Sequence, residues 1–283
     1  MAEPTSFEGM ETVEEAVAFF ERYETIVLVA NSDVIDIGAL RGAYSGDTLF
    51  VFFNKVYKVL SKPFEGEAVL VARSSPAGAN IVYRREVDDV LRLLRGPRFQ
   101  GVLNLKAGPQ EVLSPAGEFG GVQVAHVDLA GTMEGFYPVT HVPTSGFALA
   151  LLLSERCMGS RIVLAGFTAR RSAKWKLFYD HDWTFEQIVL RLLFRSGRLE
   201  PAPGAARVEG ALDAIARRLP GVTAEDVSLV AGDVLSERLE SAHMGIDALM
   251  KVTRVQQRFD GWVRALKPRT RKEKRAAEPC QGR

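Results

Sequence analysis

The stretch PTSGFALALLLSERCMGSRIVLAGF, residues 143–167, contains a helix start, an apolar helix and a buried strand in direct succession. It predicts a helix over Phe147–Cys157, closed by Gly159, and a strand over Arg161–Phe167. Three upstream runs have the continuous apolar, β-branched and aromatic composition of strands buried on both faces: Thr25–Ala30, Thr48–Phe53 and Glu67–Ala72. Because such strands alternate with helices, the sequence predicts an α/β fold with a mostly parallel sheet and helices on both faces.

Two capping boxes indicate where amphipathic helices begin on either side of this core. TVEE at 12–15 predicts a helix that extends to about Tyr23, and TFEQ at 184–187 predicts a helix that ends at Gly197. The other predicted elements of this region are a helix at Arg85–Arg95 and strands at Gly101–Leu105 and Val122–Val127.

The composition changes near residue 200, where EPAPG at 200–204 predicts a linker. We expect an α/β domain over residues 1–199 and a helical C-terminal subdomain over residues 200–266. The last stretch, residues 267–283, contains KPRTRKEKR and is predicted to be a solvated, disordered tail.

The overall composition excludes several classes of protein. The 283 residues include 36 Lys and Arg against 35 Asp and Glu, with 47% apolar residues, so neither a disordered chain nor a nucleic-acid-coating protein is expected. Two cysteines are too few for a disulfide framework. The longest apolar run, Phe147–Leu153, is far shorter than the roughly 20 residues that span a bilayer, and the acidic N-terminus does not have the pattern of a signal peptide. We therefore expect a soluble, cytoplasmic protein.

The first candidate site lies after the first two strands. Asn31 and Ser32 follow one strand and Asn54 follows the next, and ligands bind at the carboxyl ends of parallel strands. Amide and hydroxyl groups there can hydrogen-bond to a base, a ribose or a phosphate. The alternative interpretation is that these are ordinary turn residues. The sequence contains no Gly-x-Gly-x-x-Gly or Walker A fingerprint.

The second candidate site lies at the start of the apolar helix, where Thr144, Ser145 and Gly146 are found. Hydroxyls and free backbone N–H groups meet the positive end of a helix there, which suits a phosphate or a carboxylate. Gly146 would let a ligand approach the backbone closely. The alternative interpretation is a plain helix cap.

The third candidate is His181, between Asp180 and Asp182 and just ahead of a predicted helix. The helix N-terminus favours the neutral imidazole, which can act as a general base, whereas the two aspartates favour the charged form. The alternative interpretation is a capping or surface histidine. The remaining histidines are interpreted as structural: His126, His141 and His243.

The three candidate sites occur in the same order as the motifs of one family. The chain resembles the sialyltransferases of the animal type and, more loosely, the bacterial sialyltransferases of similar fold. Residues 143–167 resemble the small motif, and His181 followed after four residues by Glu186 resembles the very small motif. VANS at 29–32 and DTLFVFFN at 47–54 resemble parts of the large motif.

The chain also departs from the pattern of this family. Ala30 replaces the usual Gly, and Phe52 replaces the usual Arg. Cys157 matches one cysteine of the family disulfide, but Ile26 lies near the place of the other, so the resemblance implies that this disulfide is missing. Of the short Tyr-rich motif, only Tyr179 is found near the expected place.

The resemblance implies a single-domain, Rossmann-like catalytic fold, a variant of the GT-A type, over about residues 24–198. It implies inverting transfer of a sialic acid, or of the related sugar Kdo, from a CMP-sugar to a hydroxyl of a glycan or glycolipid acceptor. His181 would be the general base, and Glu186 would orient its neighbours. No cofactor or essential metal is expected, since a CMP-sugar carries one phosphate rather than a diphosphate. The residues expected to bind the donor are Asn31, Ser32, Asn54, Thr144, Ser145, Gly146 and Tyr179.

Three other functions stay open at this point. They are a catalytically silent nucleotide-sugar-binding protein, a CMP-sugar hydrolase with water as the acceptor, and a doubly wound enzyme for a different nucleotide. The basic tail is expected to be solvated; the alternative is that it touches the inner membrane surface next to a lipid-linked acceptor.

Overall fold

The structure is a computed structural model that describes residues 7, 9–32, 35–44, 46–73, 80–168 and 180–203, together with residues 223, 225–226, 228–236 and 239. Residue contacts divide the chain into two units, residues 1–205 and residues 206–283. The first unit is built on a seven-stranded sheet in which all paired strands are parallel. The strands are β1 (Thr25–Val29), β2 (Thr48–Phe53), β3 (Ala68–Arg73), β4 (Phe99–Lys106), β5 (Val124–Asp128), β6 (Arg161–Ala165) and β7 (Glu200–Pro201).

Both faces of this sheet are covered by helices, and successive side chains of the strands β1, β2, β3 and β6 enter two separate apolar clusters. In β1, for example, Ile26 and Leu28 join one cluster with residues of the helices α1 (Val13–Phe20), α5 (Ser145–Arg156) and α6 (Trp183–Arg195). Val27 and Val29 join the other cluster with residues of α2 (Ile37–Ala43) and α3 (Val87–Leu91). The predicted α/β fold, a Rossmann-like parallel sheet between helices, is therefore confirmed. The helices are α1 (Val13–Phe20), α2 (Ile37–Ala43), α3 (Val87–Leu91), α4 (Ala130–Met133), α5 (Ser145–Arg156) and α6 (Trp183–Arg195).

The two predicted capping boxes have different outcomes. The box of α1 is confirmed, because the Thr12 hydroxyl accepts from Glu15 N and the Glu15 carboxylate accepts from Thr12 N. The prediction at 184–187 is wrong, because α6 begins one residue before Thr184 and its cap is Asp182, whose Oδ1 accepts from Phe185 N at 2.9 Å. An aspartate fills this role as well as a threonine, so the sequence offered two competing caps.

The predicted linker at 200–204 begins inside the sheet rather than after it. Glu200 and Pro201 form β7 at the edge, paired with β6. A proline is tolerated in an edge strand because such a strand lacks a second neighbour that would need its N–H group. In the second unit, residues 225–226, 228–236 and 239 are helical, and the predicted tail at 267–283 lies outside the described residues.

No helix in the described part of the chain has both the length and the apolar character that a membrane span requires.

Cys157 caps the C-terminus of α5 as a buried free thiol. Its Sγ lies 3.9 Å from the Val17 carbonyl oxygen, and burial raises the pKa of this thiol to about 12. Ile26 is fully buried in the same apolar cluster. At this position of the fold, Cys157 acts as a small apolar side chain.

The strand order β5-β4-β3-β2-β1-β6-β7 contains one reversal, beside β1. From β1 to β5 the chain adds each strand on the same side; after β5 it returns through α5 and adds β6 on the other side of β1. The carboxyl ends of β1 and β6 therefore form the topological switch point, where doubly wound sheets bind ligands. Asn31 and Ser32 follow β1 at this point, and Gly166 follows β6.

Gly166 is required at the switch point for two reasons. Its φ of +78° is in the left-handed region that favours glycine. A Cβ at this position would also lie 2.4 Å from Ile35 Cδ1 and 3.0 Å from Ser32 Cβ. The close approach of β6 to the segment after β1 thus depends on a residue without a side chain.

Three glycine-to-alanine substitutions separate these two reasons. Gly117→Ala adds a methyl group in open space at an ordinary φ and should leave the free energy of unfolding nearly unchanged. Gly135→Ala, at φ +73° in open space, should cost about 1 kcal/mol. Gly166→Ala adds the overlap and should cost at least about 2 kcal/mol, measured by urea unfolding. Equal losses for Gly135→Ala and Gly166→Ala would contradict the steric part of this account.

Candidate functional site

Asn31 and Asn54 lie at the carboxyl ends of the neighbouring strands β1 and β2. Asn31 Nδ2 donates to the Phe53 carbonyl oxygen at 2.7 Å, whereas its buried Oδ1 has no partner among the described residues. Asn54 has φ +44°, which asparagine tolerates better than most residues, and its Oδ1 accepts from Arg73 N at 2.9 Å. Asn31 Oδ1 therefore has the capacity to accept a hydrogen bond from an amino or hydroxyl group of a ligand.

Arg73 connects the strand ends with the start of α5. It is the last residue of β3, and its guanidinium is buried. Nε forms an ion pair with Glu111 Oε1 at 2.7 Å, and Nη1 donates to the Pro143 carbonyl oxygen at 2.8 Å. Nη1 also lies 3.5 Å from Ser145 Oγ. Since Arg73 N donates to Asn54, this residue links the first two candidate sites.

The two hydroxyls at the start of α5 differ in what they are free to bind. Thr144 is the N-cap: its Oγ1 accepts from Phe147 N at 3.1 Å and donates to Glu186 Oε2 at 2.8 Å. The hydroxyl hydrogen of Thr144 is thus already used within the protein. Ser145 is also buried, but the contact from Arg73 leaves its hydroxyl hydrogen available to a ligand.

Gly146 has a packing role that was not predicted. A Cβ at this position would lie 2.6 Å from Cε1 of the Phe167 ring. The ring, which follows β6, takes up the space beside the first turn of α5 that was predicted to admit a ligand. Gly146 therefore brings the helix start and the end of β6 together.

Glu186 binds the start of α5 from within α6. Its Oε1 accepts from Tyr137 OH at 2.9 Å and from Thr144 N at 2.7 Å, and its Oε2 accepts from Thr144 Oγ1. The Tyr137 hydroxyl in turn accepts from Asp182 N at 3.0 Å. Only 3% of Glu186 is exposed, and burial raises the pKa of its carboxyl to about 7. Through these contacts Glu186 fixes the positions of Tyr137 and Thr144, and its orienting role in a reaction stays a prediction.

His181 is held by its Nδ1, which lies 2.7 Å from the Val142 carbonyl oxygen. A carbonyl oxygen only accepts hydrogen bonds, so Nδ1 carries a proton and Nε2 of the neutral ring is a proton acceptor. Val142 N donates to the Asp180 carbonyl oxygen at 2.8 Å, and the Trp183 ring packs edge-on against the imidazole. The residues just before α5 thus fix both the tautomer and the orientation of His181.

Burial lowers the pKa of His181 below its ordinary value of 6.5, and the charge of Arg73 lowers it further. The hydrogen bond to Val142 and the charges of Asp180 and Glu111 act in the opposite direction but are weaker in sum. The sequence left the balance of these effects open. In the structure, the neutral imidazole is favoured at pH 7.

The remaining residues that the sequence analysis singled out either form other contacts or lie outside the described residues. Ser32 is buried beside Gly166 at the switch point. His126 Nε2 contacts the Ser114 carbonyl oxygen at 2.9 Å, and His141 Nδ1 contacts the hydroxyl of its neighbour Thr140 at 2.9 Å. Tyr179 and His243 lie outside the described residues. Among the residues that the structure describes, no group of three or more His, Cys, Asp and Glu side chains could hold a metal ion.

Sequence analysis missed Arg73, Glu111 and Tyr137. Arg73 follows an apolar run, EAVLVA, so the criterion that selected Asn31 and Asn54 would also have selected it. Glu111 and Tyr137 lie in connections after β4 and before α5, where no local pattern distinguishes them from other polar residues.

Comparisons with known protein families, with curated proteins and with solved structures found no match to this chain.

The raised pKa of Glu186 predicts a pH-dependent stability. Between pH 4.5 and 7 the folded state retains a proton on Glu186 that the unfolded state has lost, so the free energy of unfolding should fall as the pH rises. Relative to Glu186→Gln, the wild type should lose about 3 kcal/mol over this range and then remain level, since one pKa unit corresponds to about 1.4 kcal/mol. Denaturant unfolding of both proteins at several pH values measures the difference. A difference that does not change with pH would contradict the assignment.

Proposed function

We propose that the chain is a metal-independent, inverting glycosyltransferase that moves a sialic acid or a related ulosonic acid, such as Kdo, from a CMP-sugar to a glycan or glycolipid hydroxyl. The observation that carries the proposal is the hydrogen bond between His181 Nδ1 and the Val142 carbonyl oxygen. It leaves Nε2 as a base beside the start of α5, where a donor anion can bind. The resemblance of residues 143–167 and of the segment from His181 to Glu186 to sialyltransferase motifs supports the same reaction.

In the proposed reaction, His181 Nε2 takes the proton of the acceptor hydroxyl while the acceptor oxygen forms a bond to the anomeric carbon of the donor. The bond between that carbon and the phosphate oxygen of CMP breaks on the opposite face, and CMP leaves with the electron pair. The transition state resembles an oxocarbenium ion, as in glycoside hydrolysis.

The polar groups at the strand ends supply the proposed donor site. Asn31, Ser32 and Asn54 would hold the cytidine and its phosphate, with Asn31 Oδ1 as a free acceptor. The Ser145 hydroxyl and the positive end of α5 would stabilise the developing phosphate charge or the donor carboxylate. Tyr179 remains a proposed donor to the phosphate, and Thr144 acts through its cap and its bonds to Glu186.

We propose a cytoplasmic location for this reaction. The proposed acceptor is a soluble or a lipid-linked glycan. In the second case, the basic stretch at 267–283 is proposed to touch an anionic membrane surface.

His181→Ala should reduce transfer by a factor of about 10² or more, because the acceptor proton loses its base. The affinity for CMP should remain nearly unchanged, since the imidazole is not assigned a contact with the nucleotide. Rates of CMP release and calorimetry with CMP measure the two effects, with His126→Ala as a matched histidine control. Full activity of His181→Ala would remove His181 as the base.

The activity should depend on pH through the same group. A neutral His181 is required, so kcat/KM should fall on the acidic side with a midpoint below pH 6.5, the ordinary pKa of histidine, and should be level above it. The pH dependence of CMP release under subsaturating donor measures this midpoint. A midpoint above 6.5 would contradict the assigned environment of His181.

The donor class is tested by calorimetry and by product analysis. CMP should bind more tightly than UDP or NAD, and incubation with CMP-sialic acid and CMP-Kdo in the presence of a glycan library should give a product heavier by one sugar residue in mass spectrometry. Equal binding of CMP and UDP would overturn the donor assignment. Release of free sugar without an acceptor product would instead indicate a hydrolase. Binding of CMP with no CMP release with any donor or acceptor pool would indicate a binding protein.

A further inference from the structure

Arg73 has a hydrogen-bonding group that the protein does not use. The residue is only 7% exposed, and Nε and Nη1 bind Glu111 and Pro143. Its Nη2 is buried and has no hydrogen-bond partner among the described residues. A buried, unsatisfied N–H of a charged group is costly, and such groups are rare unless something else compensates for them.

The position of the guanidinium is fixed by its other contacts. Glu111 Oε1 binds Nε, while Glu111 Oε2 accepts from Ala107 N at 2.9 Å and from Gly108 N at 3.1 Å. The carboxylate is thus anchored to the loop after β4 and cannot easily turn towards Nη2. A planar guanidinium held at Nε and Nη1 presents Nη2 in one direction, which suits recognition of an anionic oxygen.

The N-terminus of α5 provides a second, independent feature at the same place. Arg73 Nη1 lies 3.5 Å from Ser145 Oγ, and Ser145 is the first residue of this 12-residue helix. The positive end of the helix and the available hydroxyl hydrogen of Ser145 both favour an anion. Arg73 also lowers the pKa of His181 through its charge, so the guanidinium acts on the proposed base as well.

We propose that Arg73 Nη2 and the Ser145 hydroxyl together bind an anionic oxygen group of the substrate, either the carboxylate of the ulosonic acid or the phosphate of CMP. The identity of the ligand rests on the proposed function; the anion site itself rests on the buried guanidinium and the helix start. Arg73 is then a substrate-binding residue and not only a link between β3 and the Pro143 segment.

Two variants distinguish an anion-binding group from a structural link. Arg73→Lys keeps the positive charge beside Glu111 but loses Nη2, whereas Glu111→Gln breaks the ion pair but keeps Nη2. We expect Arg73→Lys to weaken the binding of CMP-sialic acid by about tenfold or more, the usual effect of losing a hydrogen bond to a charged group. Glu111→Gln keeps an amide oxygen that can accept from Nε and hold the guanidinium, and it removes the negative charge beside it. This variant should therefore bind the donor at least as tightly as the wild type.

Calorimetry with CMP-sialic acid, CMP and cytidine measures these affinities and identifies the anion. If Arg73→Lys binds both CMP-sialic acid and CMP more weakly, the anion at Arg73 is the phosphate. If it binds only CMP-sialic acid more weakly, the anion is the carboxylate of the sugar. Cytidine affinity should not change. Parallel losses in both variants, or an unchanged affinity of Arg73→Lys, would overturn the proposal.

The anion site is also tested without a nucleotide. If the wild type binds no cytidine compound, the proposed function fails, and a titration with inorganic phosphate decides on the anion site alone. The ¹⁵N–¹H side-chain signal of Arg73, assigned by comparison with Glu111→Gln, should shift on addition of phosphate. The absence of a shift would overturn the site even if Arg73→Lys does not fold.

Discussion

The geometry of the candidate site depends on the buried carboxylate of Glu186. It accepts one hydrogen bond from Tyr137 and two from Thr144, and so joins the segment before α5, the cap of α5 and the first turn of α6. Ionised carboxylates are rarely buried without such partners, because desolvation penalises their charged form. The three donors lower the pKa of Glu186 but do not offset burial. The arrangement thus fixes two helix starts relative to each other at some cost in stability.

The parallel sheet explains why polar residues that are distant in sequence meet at this place. The carboxyl ends of all strands lie at the same end of the parallel sheet, so the residues after β1, β2 and β3 are neighbours although the sequence separates them. The connection from β5 back to β6 contains α5. The segment at the N-terminus of α5 contacts the Arg73 guanidinium through the Pro143 carbonyl oxygen. His181 joins through Val142 O, on the same segment as Pro143. Arg73 and the backbone of Val142 and Pro143 thus connect the ends of β2 and β3, the start of α5 and His181.

The core elements could be predicted because their signals are local. The strand at Thr48–Phe53 is as predicted, and Thr25–Val29 differs by one residue, because buried parallel strands are continuous apolar runs. α5 starts two residues before Phe147 because Thr144 caps it. Sequence analysis missed α2, whose cap is Asp36, and β7, since a two-residue edge strand with a proline has no apolar run. The importance of Arg73 and Glu111 depends on contacts 38 residues apart, which no local pattern encodes.

The same positive charge has two consequences for the proposed reaction. Arg73 and the N-terminus of α5 favour an anion, and the charge of Arg73 also helps to keep His181 neutral before the donor binds. A bound carboxylate or phosphate would partly neutralise this charge, and the pKa of His181 would then rise towards that of a stronger base. An imidazole that is neutral in the free protein and more basic in the donor complex is suited to taking a proton only when the donor is in place. The fixed Nδ1 contact with Val142 keeps Nε2 as the proton acceptor in both states.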